Sequence, residues 1–183
     1  SRPIGALDVL VRMGSDLTNI IIFNSLSKRS NAAGLRAGFI VADKKIIDIY
    51  KLLVSNGASP LPIPIQNAAA DLYSDEEHNF LACKRYDENF EIAYKHLNKF
   101  VPNLKIPDAG FFLWLPVKND LKMTIDLWHH YSLRVMPGSF MAKEINGYNP
   151  GKGYLRLALV ENSTVIVDAM ERITDYFAKK DHE

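Results

Sequence analysis

Apolar residues recur along this chain at two spacings, one typical of strands and the other of helices. Short apolar runs predict strands at residues 20–23, 37–42, 104–106, 111–115, 133–136 and 154–160. Apolar residues three or four positions apart predict helices at residues 44–57, 65–73, 74–100 and 121–131, and another from about residue 162. The β-branched run at 20–23 is typical of a strand buried on both faces of a sheet. The pattern therefore predicts a mixed chain of helices and strands.

Polar residues and prolines mark where several of these elements begin and end. Asp43 is placed to cap the helix that follows it, and Asp120 to cap the helix at residues 121–131. Ser74 and Glu77 have the spacing of a capping box, which predicts the start of the longest helix. Pro102 should stop that helix, because proline cannot continue the backbone hydrogen bonds. Helices of that length often connect two lobes of a protein.

The charge of the chain is nearly balanced, with 22 Lys and Arg against 21 Asp and Glu among 183 residues. A net charge of +1 argues against binding nucleic acid or an acidic membrane through bulk charge. The lone Cys83 excludes an internal disulfide framework and a multi-cysteine metal site, and it suits a reducing compartment. No apolar run approaches the ~20 residues of a membrane helix. We therefore expect a cytoplasmic protein without nucleic-acid, membrane or metal partners.

A polar loop between the first two predicted strands gathers groups that bind phosphate. Its polar and small residues are Ser25, Ser27, Lys28, Arg29, Ser30, Gly34, Arg36 and Gly38. Hydroxyls, a guanidinium that can bind two oxygens, and glycines that let backbone N–H groups approach are what a phosphate site requires. A lysine at the end of a strand can also act as an amine nucleophile. The alternative is a solvated basic loop, since loops are routinely polar.

Arg156 stands out in the strand predicted at residues 154–160. Successive side chains of a strand alternate between faces, so Leu155 and Leu157 share one face and Arg156 lies on the other. An arginine among apolar neighbours is rarely buried without an anionic partner. Arg156 is therefore a candidate to bind a carboxylate, and an internal salt bridge to Asp or Glu is the alternative.

The loop also carries a resemblance to a known family. Ser25-Leu26-Ser27-Lys28, followed after five residues by Gly34-Leu35-Arg36-Ala37-Gly38, resembles the cofactor-lysine signature of fold type I aminotransferases, the aspartate aminotransferase superfamily. In that family the serine, the second hydroxyl, the lysine and the arginine recur at this spacing. The stretch Ser25–Asn31 most resembles the succinyldiaminopimelate aminotransferases of bacterial lysine synthesis.

This resemblance implies a role for each residue of the signature. Lys28 would form the internal Schiff base with pyridoxal 5′-phosphate and act as the base in proton transfer. Ser25, Ser27 and Arg36 would bind the phosphate of that cofactor, and Arg156 would hold the α-carboxylate of the substrate. The enzyme would be an aminotransferase (2.6.1 type) that passes an amino group between glutamate and an oxo acid, here N-succinyl-2-amino-6-oxopimelate.

The resemblance also implies an α/β fold in several parts. Residues 1–73 would be a remnant of the large, cofactor-binding domain, residues 74–102 a long connecting helix, and residues 103–183 a C-terminal α+β small domain. Family members carry an aspartate, a tyrosine, an asparagine and a stacking aromatic ring upstream of the lysine, and residues 1–24 match none of them. We therefore expect the C-terminal part of a longer enzyme, inactive by itself, whose intact form is a homodimer with exposed apolar surface where its partners are missing.

Other readings of the chain stay open at this point. A related enzyme acting on LL-diaminopimelate, aspartate or aromatic amino acids would carry the same signature. A non-catalytic regulator lobe could also retain this fold. Three features are weaker. Gly110-Phe111-Phe112 resembles a segment that brings an aromatic edge to the active site, and Pro137-Gly138-Ser139-Phe140 resembles the turn before the closing loop. The rings of His129 and His130 should point apart on a helix.

Overall fold

A computed structural model describes residues 4–14, 16–57 and 59–180. The chain divides into two units, Ser1–Leu81 and Ala82–Glu183. The boundary falls inside the long helix, and the three-part division at residues 73 and 102 stays a prediction. Residues 1–3 and 181–183, which that division includes, lie outside the described residues.

The first unit combines short helices with one hairpin. Its elements are α1 (Ala6–Met13), β1 (Ile22–Ser25), α2 (Leu26–Arg29), a 3₁₀ turn (Ala33–Leu35), β2 (Gly38–Val41), α3 (Lys44–Gly57) and α4 (Ile63–Ser74). The long helix α5 (Glu77–Leu97) begins in this unit. Its small core is built around the buried side chains of Leu26, Ala37 and Ala69.

Strands β1 and β2 pair with each other in an antiparallel hairpin, with Ile22 opposite Val41 and Ser25 opposite Gly38. The expectation of a first strand buried on both faces is wrong for the described residues. Phe23 is 71% exposed, and most of β1 is open to solvent. A β-branched run predicts a covered strand only where other elements pack on both of its faces.

Of two helix starts predicted from capping residues, the start of α3 is confirmed and the capping box of α5 is wrong. The carboxylate of Asp43 caps α3, as predicted, by accepting hydrogen bonds from the N–H groups of Lys45 and Ile46. The predicted capping box at Ser74 is wrong, because the Ser74 hydroxyl donates back to the Ala70 carbonyl of α4. Asp75 caps α5 instead. A carboxylate is the stronger acceptor at the positive end of a helix.

The second unit packs three helices against one sheet. After α5 come β3 (Phe112–Pro116), α6 (Asp120–Tyr131), β4 (Met136–Pro137), a 3₁₀ turn (Gly138–Phe140), β5 (Tyr154–Ala158) and α7 (Ser163–Lys180). The sheet is antiparallel, in the order β3-β5-β4. Leucines on one face of β3 and β5 are almost completely buried among residues of α5, α6 and α7. The alternation predicted for β5 is confirmed.

Two sequence predictions in this unit are wrong, and a third holds for one residue, since only Met136 of the strand predicted at 133–136 lies in β4. Residues 104–106 form no strand, because the flanking Pro102 and Pro107 lack the N–H groups that pairing needs. The cap of α6 is Asn119, whose side-chain oxygen accepts from the Lys122 N–H at 3.0 Å. Asp120 lies in the first turn of α6, and its buried carboxylate has other partners, described below.

Candidate active site

The β1–β2 hairpin brings the two ends of the polar loop together. Ser25, the last residue of β1, pairs with Gly38, the first residue of β2. A Cβ atom at position 38 would overlap the carbonyl oxygen of Asn24, so only glycine fits this close backbone approach. Arg36 stands two residues before Gly38. Ser25 and Arg36 therefore belong to the same end of the hairpin.

The two signature serines lie side by side at the start of α2. Ser25 Oγ is 3.0 Å from Ser27 Oγ, and it accepts a hydrogen bond from the Ser27 N–H at 3.2 Å. Both hydroxyls therefore lie at the end of β1. Their spacing lets them bind neighbouring oxygens of one anion.

Lys28 lies on the exposed side of α2. The helix is anchored by Leu26, whose side chain is completely buried and whose N–H donates to the Ala37 carbonyl at 3.2 Å. A single turn of helix has little stability of its own, so these contacts fix its place. They therefore fix the backbone from which Lys28 projects, directly after Ser27.

Arg36 has an unusual backbone conformation. Its φ of 53° and ψ of 33° lie in the left-handed region, which costs a residue other than glycine about 1 kcal/mol. Its Nη1 donates to the Ala33 carbonyl at 3.0 Å, within its own turn. In the part of the chain that the structure describes, no carboxylate lies within ion-pair distance of its guanidinium. The strained turn thus presents a cation whose charge is not neutralised locally.

Arg156 is half-buried in β5, opposite Trp114 of β3 and Met136 of β4. Its guanidinium carbon lies 4.3 Å from the centre of the Phe112 ring, a cation–π contact. Among residues 4–14, 16–57 and 59–180 it has no carboxylate within ion-pair distance, so the internal salt bridge is not formed there. The fork of donors is held by a ring on one side and is suited to an external carboxylate.

Comparison with known proteins identifies the family. The profile of the family described as aminotransferase class I and II matches residues 6–173. The chain belongs to this family. Class I and II aminotransferases depend on pyridoxal phosphate.

Relatives with sequence or structural similarity agree with this assignment. The chain is 30% identical over 163 residues to LL-diaminopimelate aminotransferase from Natranaerobius thermophilus, covering 86% of this chain and 40% of that protein. A solved aminotransferase from Neisseria meningitidis Z2491 is 35% identical, with a TM-score of 0.88, over 96% of this chain and 45% of that one. The aminotransferase AspB from Helicobacter pylori is 27% identical, with a TM-score of 0.84, over 97% and 46%. The expected aminotransferase fold is confirmed, and the chain spans less than half the length of these proteins.

Sequence reasoning assigned Asp120 to a helix cap and missed that it is a buried carboxylate with other partners in this aminotransferase chain. It accepts hydrogen bonds from the N–H groups of Ser139, at 2.9 Å, and Gly153, at 3.3 Å. Burial alone would raise the pKa of Asp120, but the hydrogen bonds from Ser139 and Gly153 outweigh it and hold that pKa below its usual value. Asp120 therefore fastens the turn after β4 to the residue that precedes β5, the strand of Arg156. Only its place before the helix stood out in the sequence, and that place predicted a cap.

Two glycines beside this fastening touch through their backbones. A Cβ atom on Gly138 would overlap the carbonyl oxygen of Gly151, and a Cβ on Gly151 would overlap the carbonyl oxygen of Gly138. Neither overlap involves a side chain that could move aside. Glycine at both positions lets the turn of Pro137-Gly138-Ser139-Phe140 lie against the chain that leads into β5.

The weaker features of the sequence have ordinary surroundings. His129 and His130 are exposed, with ring centres 6.4 Å apart. In the described ranges, no group of three or more His, Cys, Asp or Glu side chains is placed to hold a metal ion. None of the described helices is both long and apolar enough to span a membrane. Of the aromatic segment at 110–112, Phe112 contacts Arg156, whereas Phe111 packs against Tyr86.

Proposed function

We propose that the protein to which this chain belongs is a pyridoxal-phosphate aminotransferase that moves an amino group between glutamate and an oxo acid. The observation that carries the proposal is the set of Ser25, Ser27, Lys28 and Arg36 at one end of the β1–β2 hairpin, in a chain of this family. Hydroxyl donors and a guanidinium without a local carboxylate suit a phosphate group. The residues present therefore fit the cofactor.

Each residue of this set has a distinct task. Ser25 and Ser27 would donate their hydroxyls to phosphate oxygens, and the Arg36 guanidinium would neutralise the phosphate charge. Lys28 would hold the cofactor covalently through Nζ. When bound, the cofactor supplies an electron sink for the electrons left on the substrate α-carbon. Lys28 Nζ, freed when the substrate amine takes its place on the cofactor, would then accept the proton that leaves this α-carbon.

Arg156 would orient the substrate by its α-carboxylate. The guanidinium offers two parallel N–H donors, a geometry that matches the two oxygens of a carboxylate and that lysine cannot reproduce. The contact with the Phe112 ring restricts the plane of this fork before substrate arrives. Preorganisation of this kind lowers the entropy lost on binding. Arg156 would thus select amino and oxo acids that carry an α-carboxylate.

For the substrate we propose N-succinyl-LL-2,6-diaminopimelate, with glutamate as the other amino acid, in lysine biosynthesis. The resemblance of Ser25–Asn31 to the succinyldiaminopimelate aminotransferases supports this choice. A second candidate is LL-diaminopimelate itself, because several curated relatives bear the name LL-diaminopimelate aminotransferase. The two candidates differ by a succinyl group on the distal amine, so a direct comparison separates them.

The first experiment locates the cofactor. The complete reading frame that contains this chain is expressed, loaded with pyridoxal phosphate and reduced with borohydride, and its peptides are analysed by mass spectrometry. We expect the reduced adduct on Lys28, and no adduct in Lys28→Ala. An adduct on any other lysine would overturn the assignment.

The second experiment determines the substrate. The purified protein is assayed with the succinylated substrate, LL-diaminopimelate, aspartate and phenylalanine as amino donors to 2-oxoglutarate. We expect the highest kcat/KM with N-succinyl-LL-2,6-diaminopimelate. A higher value with unsubstituted LL-diaminopimelate would replace the proposed substrate, and no turnover with any amino acid would favour the regulator lobe. We also propose that the intact protein is a cytoplasmic homodimer, which analytical ultracentrifugation and cell fractionation test.

A further inference from the structure

Arg29 follows Lys28 directly, yet its side chain leads away from solvent. Its side chain is only 16% exposed, and it lies against the end of α4 and the turn that follows. Leu26 and Arg29 are three positions apart, so they share one side of α2. Lys28, one position away from Arg29, lies on the exposed side. One side of α2, with Leu26 and Arg29, therefore packs against the rest of the unit, and the other side, with Lys28, is exposed.

The guanidinium of Arg29 is held by carbonyl groups. Its Nη1 donates to the Leu72 carbonyl at 2.7 Å, and its Nη2 donates to the carbonyls of Tyr73 at 3.5 Å and Asp75 at 3.4 Å. The last carbonyls of a helix lack partners within the helix and carry partial negative charge. Arg29 therefore caps the C-terminal end of α4. The fork of the guanidinium reaches several acceptors that a single ammonium group could not reach together.

Two further contacts of Arg29 are weaker. Its Nη2 lies 2.9 Å from Oε1 of Glu76, a residue whose side chain is 77% exposed, and exposed ion pairs contribute little. Its guanidinium carbon lies 5.5 Å from the centre of the Tyr73 ring. The carbonyl bonds, rather than the ion pair, should account for most of the effect of Arg29.

The next residue is fastened to the same turn. The Ser30 hydroxyl lies 2.9 Å from His78 Nε2, and His78 Nδ1 lies 2.9 Å from the Asp75 carboxylate. Asp75 also caps α5 through the N–H groups of Glu77 and His78. Arg29 and Ser30 thus tie the chain after Lys28 to the α4–α5 turn. Leu26 anchors the chain before it.

We propose that Arg29 is a positioning residue, which holds α2 against the end of α4 so that Lys28 Nζ is fixed relative to the Ser25 and Ser27 hydroxyls. This inference rests on the proposed function of Lys28 as the cofactor lysine. It adds a structural requirement that lies outside the signature residues. Loss of the guanidinium fork would release the second half of α2, and Lys28 with it, while every side chain of the signature stays chemically intact.

The test uses the complete reading frame with pyridoxal phosphate as the probe. Arg29→Ala, Arg29→Lys and Glu76→Gln are compared with Arg134→Ala, which removes an exposed arginine in the second unit. The readouts are cofactor affinity from the visible absorbance, the pH midpoint of that absorbance, and the split between kcat and KM. Thermal unfolding followed by circular dichroism shows which variants are folded.

We expect Arg29→Ala to weaken cofactor affinity at least tenfold, to shift the pH midpoint by more than half a unit, and to lower kcat more than it raises KM. Arg29→Lys should fall between Arg29→Ala and wild type. Glu76→Gln and Arg134→Ala should stay within twofold of wild type. If Arg29→Ala does not fold, the test rests on Arg29→Lys, which should have a lower cofactor affinity and a shifted pH midpoint relative to wild type.

Two results would overturn the inference, and they differ from each other. If the wild type carries the cofactor on Lys28 and both Arg29 variants match Arg134→Ala, Arg29 has no positioning role and the proposed function stands. If borohydride places no cofactor on Lys28 of the wild type, the proposed function fails and this inference fails with it.

Discussion

The two units of the chain bury very different amounts of apolar surface. In the second unit, leucines of β3 and β5 pack with α5, α6 and α7 into one continuous core. In the first unit the buried cluster consists of Leu26, Ala37 and Ala69, with Leu10 and Ala42 buried outside it, and large apolar side chains are exposed, Ile63 by 71%. The unit that carries Lys28 is thus the one with less packing of its own.

This difference indicates that the polar contacts matter more around Lys28 than around Arg156. The loop of the first unit is shaped by a hairpin, a required glycine and the carbonyl bonds of Arg29. Arg156 instead belongs to a strand whose opposite face is a leucine core. Some substitutions should therefore change activity with little effect on the free energy of unfolding, and others should do the reverse. The two units should differ in how much unfolding free energy a substitution costs.

The largest expected effect is on activity and not on stability. In the complete protein, Lys28→Ala should lower transamination by a factor of at least about 10²–10⁴, because a positioned base is removed together with the covalent attachment. The side chain is exposed, so the unfolding midpoint should change little. Steady-state kinetics and thermal unfolding measure the two quantities. Lys84→Ala, an exposed lysine on α5, serves as control and should keep full activity.

The second prediction concerns the leucine core. Leu155→Ala should lower the free energy of unfolding by about 2–5 kcal/mol, since a completely buried side chain leaves a cavity. Urea unfolding of the 183-residue chain measures it. Ile125→Ala, in the exposed part of α6, should change the same quantity by no more than about 0.5 kcal/mol. Equal effects of the two substitutions would contradict the packing described for this unit.

The third prediction uses two glycines of the signature as a matched pair. Gly38→Ala should destabilise the first unit by roughly 1–3 kcal/mol, because the new methyl group would overlap the Asn24 carbonyl. Gly34→Ala adds a methyl group that has no atom within 4 Å among the described residues, so its effect should be small. Urea unfolding and borohydride labelling of Lys28 are the measurements. Tolerance of alanine at position 38 would mean that the hairpin ends do not approach as closely as described.

The fourth prediction is a dependence on pH. Asp120→Asn should lower the free energy of unfolding by about 1–2 kcal/mol at pH 7, because an amide oxygen accepts from the Ser139 and Gly153 N–H groups less strongly than a carboxylate does. The pKa of Asp120 is lowered in the folded state, so its stabilisation is complete above the unfolded pKa of about 3.9. That stabilisation is lost as the pH falls through the folded pKa.

Urea unfolding at pH 7 and at pH 3 checks this sign. The difference between wild type and Asp120→Asn should shrink at the lower pH. Asp108→Asn, an exposed carboxylate in the same unit, should differ from wild type by a small amount at both values. A difference that grows toward pH 3 would show that the carboxylate is not what holds the turn.

The smallest effect should come from the exposed hairpin. Phe23→Ala in the 183-residue chain should change the free energy of unfolding by no more than about 0.5 kcal/mol, because most of the ring is already in contact with water. Urea unfolding beside Leu155→Ala makes the comparison between the units direct. A loss of 2 kcal/mol or more would mean that the ring is covered in solution.

Local sequence patterns predicted the parts of the fold that depend on near neighbours. The alternation of Leu155, Arg156 and Leu157 gave the faces of β5, and Asp43 gave the start of α3. Both depend on residues within a few positions, where period and capping chemistry decide the outcome. The signature from Ser25 to Gly38 likewise lies within one loop, and the hairpin brings its two ends together.

The patterns failed where distant chain segments compete for a polar group. Asp120 stands where a cap belongs, but the N–H groups of Ser139 and Gly153 recruit its carboxylate. The sequence grouped Arg29 with the phosphate-binding residues of the loop, whereas in the structure its acceptors are backbone carbonyls more than forty residues away. No side-chain pattern marks a carbonyl acceptor, so such partners emerge only from the folded chain.

The contact between Gly138 and Gly151 has a consequence for how this chain can change. A Cβ at either position would overlap a backbone carbonyl of the other residue, and every residue type carries that carbonyl. The overlap caused by a larger residue at one position is therefore not relieved by any replacement at the other. The pair therefore offers no route through compensating substitutions. A library randomised at both positions and selected for folding should return glycine twice, whereas most pairs of contacting residues return many combinations. The turn beside Arg156 therefore cannot change at these two positions by single substitutions or by paired ones.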